Sequence, residues 1–266
     1  MKPRFNRPTP FTASVAVLIL VLIGCAGTAA ARGGFNLVSL DQEWGMRDDL
    51  RSQVASQARV VDSSYLNTVG RRIASQTPLG NRRWDFAIVQ DSTVNAFNLP
   101  GGLVYVNSGL IAEADTLAEL AGVLAHEIGH GAARHGTQQM TRAYGYNAIA
   151  GLLLGRNPGQ GKQIAAQILG TGIMTRYGRT AETEADRLGV RYTYAAGYDP
   201  QGMVGFYGEM LDMRQRRPSK VEQFFSSHPL TEDRIRVIQA EASNLPRRAS
   251  LTNDTNNFQR FRSQFR

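Results

Sequence analysis

The chain has 266 residues, 42% of them hydrophobic and 20% charged, with one cysteine and a formal net charge of +8. That length suits one domain with a proper core, and a lone cysteine excludes an internal disulfide framework. The positive balance belongs to the two ends: Lys2, Arg4 and Arg7 in front, and Arg247, Arg248, Arg260, Arg262 and Arg266 against Asp254 behind. The body between them is near neutral, which removes charge as an argument for nucleic-acid binding.

The front end has the pattern of an export signal. The three basic residues precede an apolar run from Phe11 to Ile23, too short for an ordinary spanning helix, which needs about 20 residues. The run closes on Leu22-Ile23-Gly24-Cys25, which resembles a bacterial lipobox with Cys25 carrying the lipid. A plain signal peptide cut after Ala29-Ala30-Ala31 is the competing reading. The lipobox is preferred because Cys25 is otherwise unexplained. Either way the chain is exported. On the lipobox reading it is anchored to a membrane through Cys25 on the periplasmic side of the cell envelope, and Ala26 in second position points to the outer membrane.

Residues 26–40 read as a tether. Helical periodicity runs through 41–76 (Val54, Ala58, Val61, Tyr65, Leu66, Val69, Ile73) and closes at Pro78 and Gly80. Trp84 to Gln90 alternates as a strand. Asn95-Ala96-Phe97-Asn98 leads through Leu99-Pro100-Gly101-Gly102 to a second strand, Leu103 to Val106. This predicts a hairpin whose edge takes up an extended substrate by backbone pairing, with Asn95, Ala96, Phe97 and Asn98 as contacts. From Leu110 the pattern is helical. Ala148–Leu154 and Ile164–Leu169 flank a Gly-rich stretch, Gly155 to Gly161, read as a core helix pair with a mobile connection, the alternatives being a lid over 140–175 or a membrane-facing hairpin. Further helices are expected from Glu182 to Ala196, from Pro200, and after Ser227-His228-Pro229. The segment 248–266 reads as a basic, disordered tail.

His126-Glu127-Ile128-Gly129-His130 lies within the apolar-periodic stretch Leu117 to Ala133. On a helix, residues four apart point within about 40° of each other, so both imidazoles can reach one zinc ion. Glu127 is about 100° round from His126, close enough to reach a water at that ion. Asp115 or Thr116 caps this helix, with Glu119 in its first turn. Small residues at Ala118, Ala121, Gly122 and Ala125 allow another element to pack close.

A catalytic zinc needs a third protein ligand. His135 would sit about 180° from His126 if the helix continued, so it is rejected as a ligand and read as a packing or surface histidine. Arg179-Thr180-Ala181-Glu182-Thr183-Glu184-Ala185-Asp186 offers a carboxylate from a later helix. Glu182 and Asp186 share a face: Glu182 is the candidate ligand and Asp186 the acceptor holding a ligand imidazole in its tautomer. Glu184 points about 160° from Asp186 and reads as an ordinary acidic helix start.

Four blocks in this order, Asn95 to Gly102, His126 to His130, Arg179 to Asp186, and His228-Pro229 with Arg234, resemble the zinc metallopeptidases related to CAAX prenyl protease and the heat-shock protease HtpX (peptidase family M forty-eight). The likeness covers roughly 37 to 243, and the chain is similar to small periplasmic lipoprotein members. It implies an α+β, mainly helical, zincin-type fold with a small β-sheet before the His-Glu-x-x-His helix. It also implies one Zn2+ per chain on His126, His130 and Glu182, with Glu127 as base. His228 is implied near the metal, acting on the transition state; by itself it would be a loop histidine. Arg234 is a candidate for binding substrate carbonyls, or a helix ion pair. Gly178 departs from the pattern, since many members have Ser there.

The expected organisation is a lipoprotein signal peptide over 1–24, a lipidated tether over 25–40, a zinc metallopeptidase domain over 41–247 and the tail over 248–266. The expected activity is zinc-dependent endopeptidase hydrolysis of misfolded or membrane-associated envelope proteins, a quality-control role with protein or peptide substrates. The alternative is a latent or non-proteolytic zinc-binding envelope lipoprotein with a chaperone-like role, in which His228 closes the coordination shell.

Overall fold

A computed structural model describes residues 35–143, 166, 170 and 176–266. Cys25, the signal segment and most of the 140–175 stretch therefore lie outside the described residues. The described elements run α1 (Leu40–Gly45), α2 (Arg47–Gln57), β1 (Val60–Asp62), α3 (Ser64–Ala74), β2 (Asp85–Val89), β3 (Ala96–Leu99), β4 (Leu103–Asn107), α4 (Ser108–Glu113), α5 (Leu117–Ala132), α6 (Arg179–Ala195), α7 (Gln201–Arg216), α8 (Pro218–Ser227), α9 (Glu232–Ser243) and α10 (Asn256–Arg262). Residues 135–143 are also helical. The fold is α+β, mainly helical with one small sheet before the histidine-bearing helix. Among the described residues, no helix is long and apolar enough to cross a membrane.

The sheet is mixed, in the order β1-β2-β4-β3. β2 and β4 run parallel, while β1 and β3 flank them antiparallel. The period-two alternation of β2 and β4 divides their side chains between two cores. Phe86, Ile88, Val104 and Val106 join the large helical core with α3 and α5. Ala87, Val89, Leu103 and Tyr105 pack with Leu50 and Val54 of α2. The β3–β4 turn is built on Gly101 and Gly102, at φ 82° and 71°. A Cβ at Gly101 would stand 2.5 Å from the Arg47 side chain, so glycine answers both the backbone and the packing.

The continuous helical run read over 41–76 is broken. Ala58 is extended (φ −143°), and Val60–Asp62 pairs with β2, Val60 facing Val89. The β-branched pair Val60-Val61 favours a strand, and an adjacent sheet edge outweighs helical periodicity there. The tether also ends earlier than expected. Val38 is buried, Asn36 Nδ2 donates to Thr137 Oγ1 at 2.8 Å, and Ser39 caps α1.

The tail departs most from expectation: much of it is folded. Thr255 caps α10, and Phe258 and Phe261 are buried in the main core. Asn253 and Asp254 accept from the first N–H groups of α5, Ala118 N to Asn253 O at 2.8 Å and Leu117 N to Asp254 Oδ1 at 3.2 Å. Arg262 Nε donates to Ala112 O at 3.2 Å. The sequence offers Phe258, Phe261 and Phe265 as contacts for acidic lipid or envelope polymers on a disordered tail; at helical spacing they instead make an apolar face that packs on the main core.

Candidate metal centre

α5 carries His126, Glu127 and His130. Thr116 closes its N-terminus in a full capping box with Glu119. α6 crosses α5 at close range through small residues on both helices. A Cβ at Gly129 would lie 2.9 Å from Ala185 O, and one at Gly189 would lie 3.1 Å from His126 N. This crossing sets Glu182 and Asp186 beside the two histidines. Gly178 is the N-cap of α6 and supplies no side-chain hydrogen bond, so its departure from Ser shows as a missing cap. His228 follows the last turn of α8, and Arg234 reaches in from α9.

Four buried donors converge: His126, His130, Glu182 and His228, all within 4.8 Å of one another. His126 Nε2 is 3.1 Å from His130 Nε2, 3.6 Å from Glu182 Oε2 and 3.3 Å from His228 Nδ1. Glu182 Oε1 is 3.4 Å from His130 Nε2 and 3.2 Å from His228 Nδ1. A tetrahedral zinc with ligands at about 2.0–2.1 Å has donor–donor edges of about 3.3 Å. The five edges match that size. Three imidazole nitrogens and a carboxylate are also the donor chemistry zinc prefers, so these residues fit the ion.

The support behind the donors is specific. His126 Nδ1 lies 3.0 Å from Asp186 Oδ1, which directs Nε2 at the cluster. Arg234 Nε and Nη2 each reach Asp186 at 2.7 Å, and Nη1 lies 2.8 Å from Glu182 Oε2 and donates to Pro229 O at 3.1 Å. The guanidinium is buried and spans Asp186, Glu182 and the Pro229 carbonyl. Burial alone would raise the Glu182 and Asp186 carboxyls. The His228, His126 and His130 rings outweigh it at Glu182, and Arg234 with His126 outweighs it at Asp186, so both acids are held below their usual range. Burial also opposes protonation of the histidines. At His126 the Asp186 and Glu182 carboxylates overcome it and lift the ring to about 9. At His130 burial prevails and the ring is held well below its ordinary value.

Glu127 Oε1 is 3.3 Å from His228 Nε2, while its buried Oε2 has no hydrogen-bond partner among the described residues. His228 thus bridges Glu127 and the donor cluster. β3 is an edge strand of the sheet and lies against α5. Its side chains are largely internal. Asn95 Oδ1 accepts from Ser227 Oγ at 3.3 Å, Asn98 Nδ2 donates to Leu103 O at 3.2 Å, and Ala96 is buried. Phe97 stacks on Tyr105 at 5.1 Å. Any substrate pairing at this segment falls to its backbone.

Two neighbours of His130 had no signal in residue spacing. Tyr177 stacks on its ring, centroids 4.0 Å apart. His135, set aside as a packing or surface histidine, is buried with Nδ1 2.9 Å from His130 Nδ1. Arg134 takes φ 60°, so α5 ends at Ala132 and the chain turns back toward the metal face. Helical projection beyond Ala132 therefore misplaces His135. It is not one of the four converging donors but is in contact with one of them, His130.

A His-Glu-x-x-His helix, a carboxylate from a second helix crossing it and a small mixed sheet alongside define a zincin-type metallopeptidase centre. The chain belongs to peptidase family M48, whose model matches residues 61–242. It is 32% identical over 215 residues to the mitochondrial metalloendopeptidase OMA1 of Schizosaccharomyces pombe, covering 78% of this chain and 63% of that protein. It is 30% identical over 224 residues to the beta-barrel assembly-enhancing protease of Escherichia coli strain K12, covering 79% of this chain and 45% of that protein. The chain thus spans less than two thirds of these relatives' length.

Proposed function

We propose that the chain is a zinc endopeptidase that hydrolyses peptide bonds of cell-envelope proteins, misfolded or membrane-associated, with one Zn2+ on His126, His130 and Glu182. The observation that carries this reading is the convergence of four buried donors beside a Glu127 carboxylate oxygen that has no partner among the described residues. When bound, zinc supplies Lewis-acid polarisation of water and of the scissile carbonyl. Glu127 Oε2 accepts the proton of the attacking water and returns it to the leaving amine. Asp186 and Arg234 keep His126 and Glu182 oriented, so the donors do not reorganise during the reaction. The β3 edge holds the substrate extended through its backbone.

Envelope substrates are supported by the export-signal pattern read in residues 1–25 and by the name of the E. coli relative, a beta-barrel assembly-enhancing protease. A lipid on Cys25 would hold the domain at the periplasmic face of the outer membrane.

The experiment is Glu127→Gln in the full chain, with bound-metal analysis and cleavage of an unfolded protein such as casein. Zinc should remain at one equivalent while cleavage falls about 100- to 10,000-fold. Undiminished cleavage would overturn the assignment of the base.

A second reading is favoured by His228, whose Nδ1 occupies the fourth corner of the cluster. Zinc with four protein ligands is a closed set. On this reading the arrangement is latent or non-proteolytic, and cleavage requires His228 to leave the corner. A coordination count on the zinc-loaded protein separates the two.

A further inference from the structure

The two ligand imidazoles are supported by different means. His126 Nδ1 meets the Asp186 carboxylate, itself held by Arg234. His130 Nδ1 meets no carboxylate; it meets the ring of His135, Nδ1 to Nδ1 at 2.9 Å. His135 Nε2 lies in turn 3.3 Å from Glu184 Oε2. The His135 ring is buried, whereas the Glu184 side chain is 46% exposed.

We propose that His135 and Glu184 are positioning residues for the metal centre, an imidazole–carboxylate relay that holds His130 in the tautomer and orientation that binds the ion. The proton pattern follows from the geometry. His130 presents Nε2 to the cluster, so that atom must be unprotonated and Nδ1 must carry the hydrogen. A donor at His130 Nδ1 requires an acceptor at His135 Nδ1, which places the His135 hydrogen on Nε2. That hydrogen points at Glu184 Oε2, an acceptor-only group when ionised. Each donor therefore meets one acceptor along the chain from Glu184 to the metal site.

The relay exists because α5 stops. Arg134 at φ 60° ends the helix and swings His135 onto the metal face. The Arg134 guanidinium fastens that turn by donating from Nε to Glu43 Oε2 at 2.7 Å. Tyr177 packs on the pair, its ring centroid 4.0 Å from that of His130 and 6.0 Å from that of His135. Glu184 reaches the relay from α6, the helix that also carries Glu182. α6 thus offers Glu182 to the donor cluster, Asp186 to His126, and Glu184 to His135, the ring behind His130.

This inference rests on the zinc-site reading above. The test is zinc affinity, by chelator competition, of the full chain and of H135F, H135N and E184A. The thermal midpoint of each metal-free protein is measured beside it. Removing an outer partner of a metal-bound histidine characteristically costs 10- to 100-fold in affinity. H135F should lose about that much. H135N, whose amide oxygen can still accept from His130 Nδ1, should stay within a few-fold of the parent. E184A, at an exposed position, should fold normally and bind zinc more weakly than the parent. In the zinc-loaded parent, nitrogen-15 NMR should find His130 protonated on Nδ1 and His135 on Nε2.

Equal affinity in H135F and the parent overturns the proposal, as does an H135N loss as large as that of H135F. If H135F does not fold, E184A with parental affinity and the opposite His135 tautomer overturn it instead. A parent chain that binds no zinc at all removes the zinc-site reading itself, a separate and recognisable result.

Discussion

Gly129 of α5 and Ala185 of α6 meet backbone to backbone: a Cβ added at Gly129 would stand 2.9 Å from the Ala185 carbonyl oxygen and 3.2 Å from its Cα. The contact decides how closely the helix bearing the histidines approaches the helix bearing Glu182. Nothing flexible lies in the way, so a side chain at 129 must push the helices apart. Gly129→Val is expected to destabilise the fold by about 1–3 kcal/mol, as overpacked cores do. It should also weaken zinc binding by at least about tenfold, because the donors lie on both sides of the crossing. Thermal unfolding and chelator competition check the two effects.

Arg234 offers a sharper test of support against substrate binding. Its guanidinium spans Asp186 and Glu182, so Arg234→Met leaves two buried carboxylates without their cation. Breaking a buried pair from one side costs about 3–5 kcal/mol. The loss should appear in the thermal midpoint of the metal-free protein and in zinc affinity. A variant that keeps both and changes only KM would return Arg234 to the substrate.

His228→Ala separates the two readings of the centre. If His228 is the fourth ligand of a closed set, the variant retains zinc on three ligands and cleaves faster than the parent. If His228 assists the reaction, cleavage falls while zinc is retained. Single-turnover cleavage at saturating zinc distinguishes these outcomes.

At the start of β2, Asp85 gathers Arg47, Arg51, Arg71 and Arg83. Burial pushes its carboxyl up, but the Arg47 charge and the Arg71 and Arg83 contacts outweigh this and hold it below its ordinary value. A carboxyl depressed in the folded state stabilises the fold above its unfolded value, about 3.9. That contribution is lost as pH falls through the folded value. Asp85→Asn should therefore reduce stability at neutral pH and flatten its decline in the acid range. Denaturant unfolding at pH 7 and across pH 4 to 2 checks the sign.

The C-terminal helix is a structural part of the domain. Phe258 is fully buried, and Phe258→Ala is expected to cost about 3–5 kcal/mol. Asp254→Ala removes an acceptor from the N-terminus of α5 and should cost about 1 kcal/mol. Chain shortened after Leu245 should lose more than either, measured by thermal unfolding.

Local periodicity was legible in the sequence. The spacing of His126, Glu127 and His130, the shared face of Glu182 and Asp186, the Thr116 cap and the Gly101-Gly102 turn all depend on residues within a turn or two of one another. Backbone hydrogen bonding repeats over that range, so adjacent residues carry the information. The packing of the helices against each other decided the rest. The α5–α6 crossing brought Glu182 to the histidines, and the docking of α8 and α9 set His228 at the fourth corner and turned Arg234 onto Asp186. A single left-handed residue, Arg134, brought His135 onto His130. The phenylalanines of the tail found a core that their own neighbours do not make. These outcomes depend on groups far apart along the chain, His126 and His228 by 102 residues and Ala112 and Arg262 by 150. Shape and burial in three dimensions select such contacts, and no repeat along the chain records them.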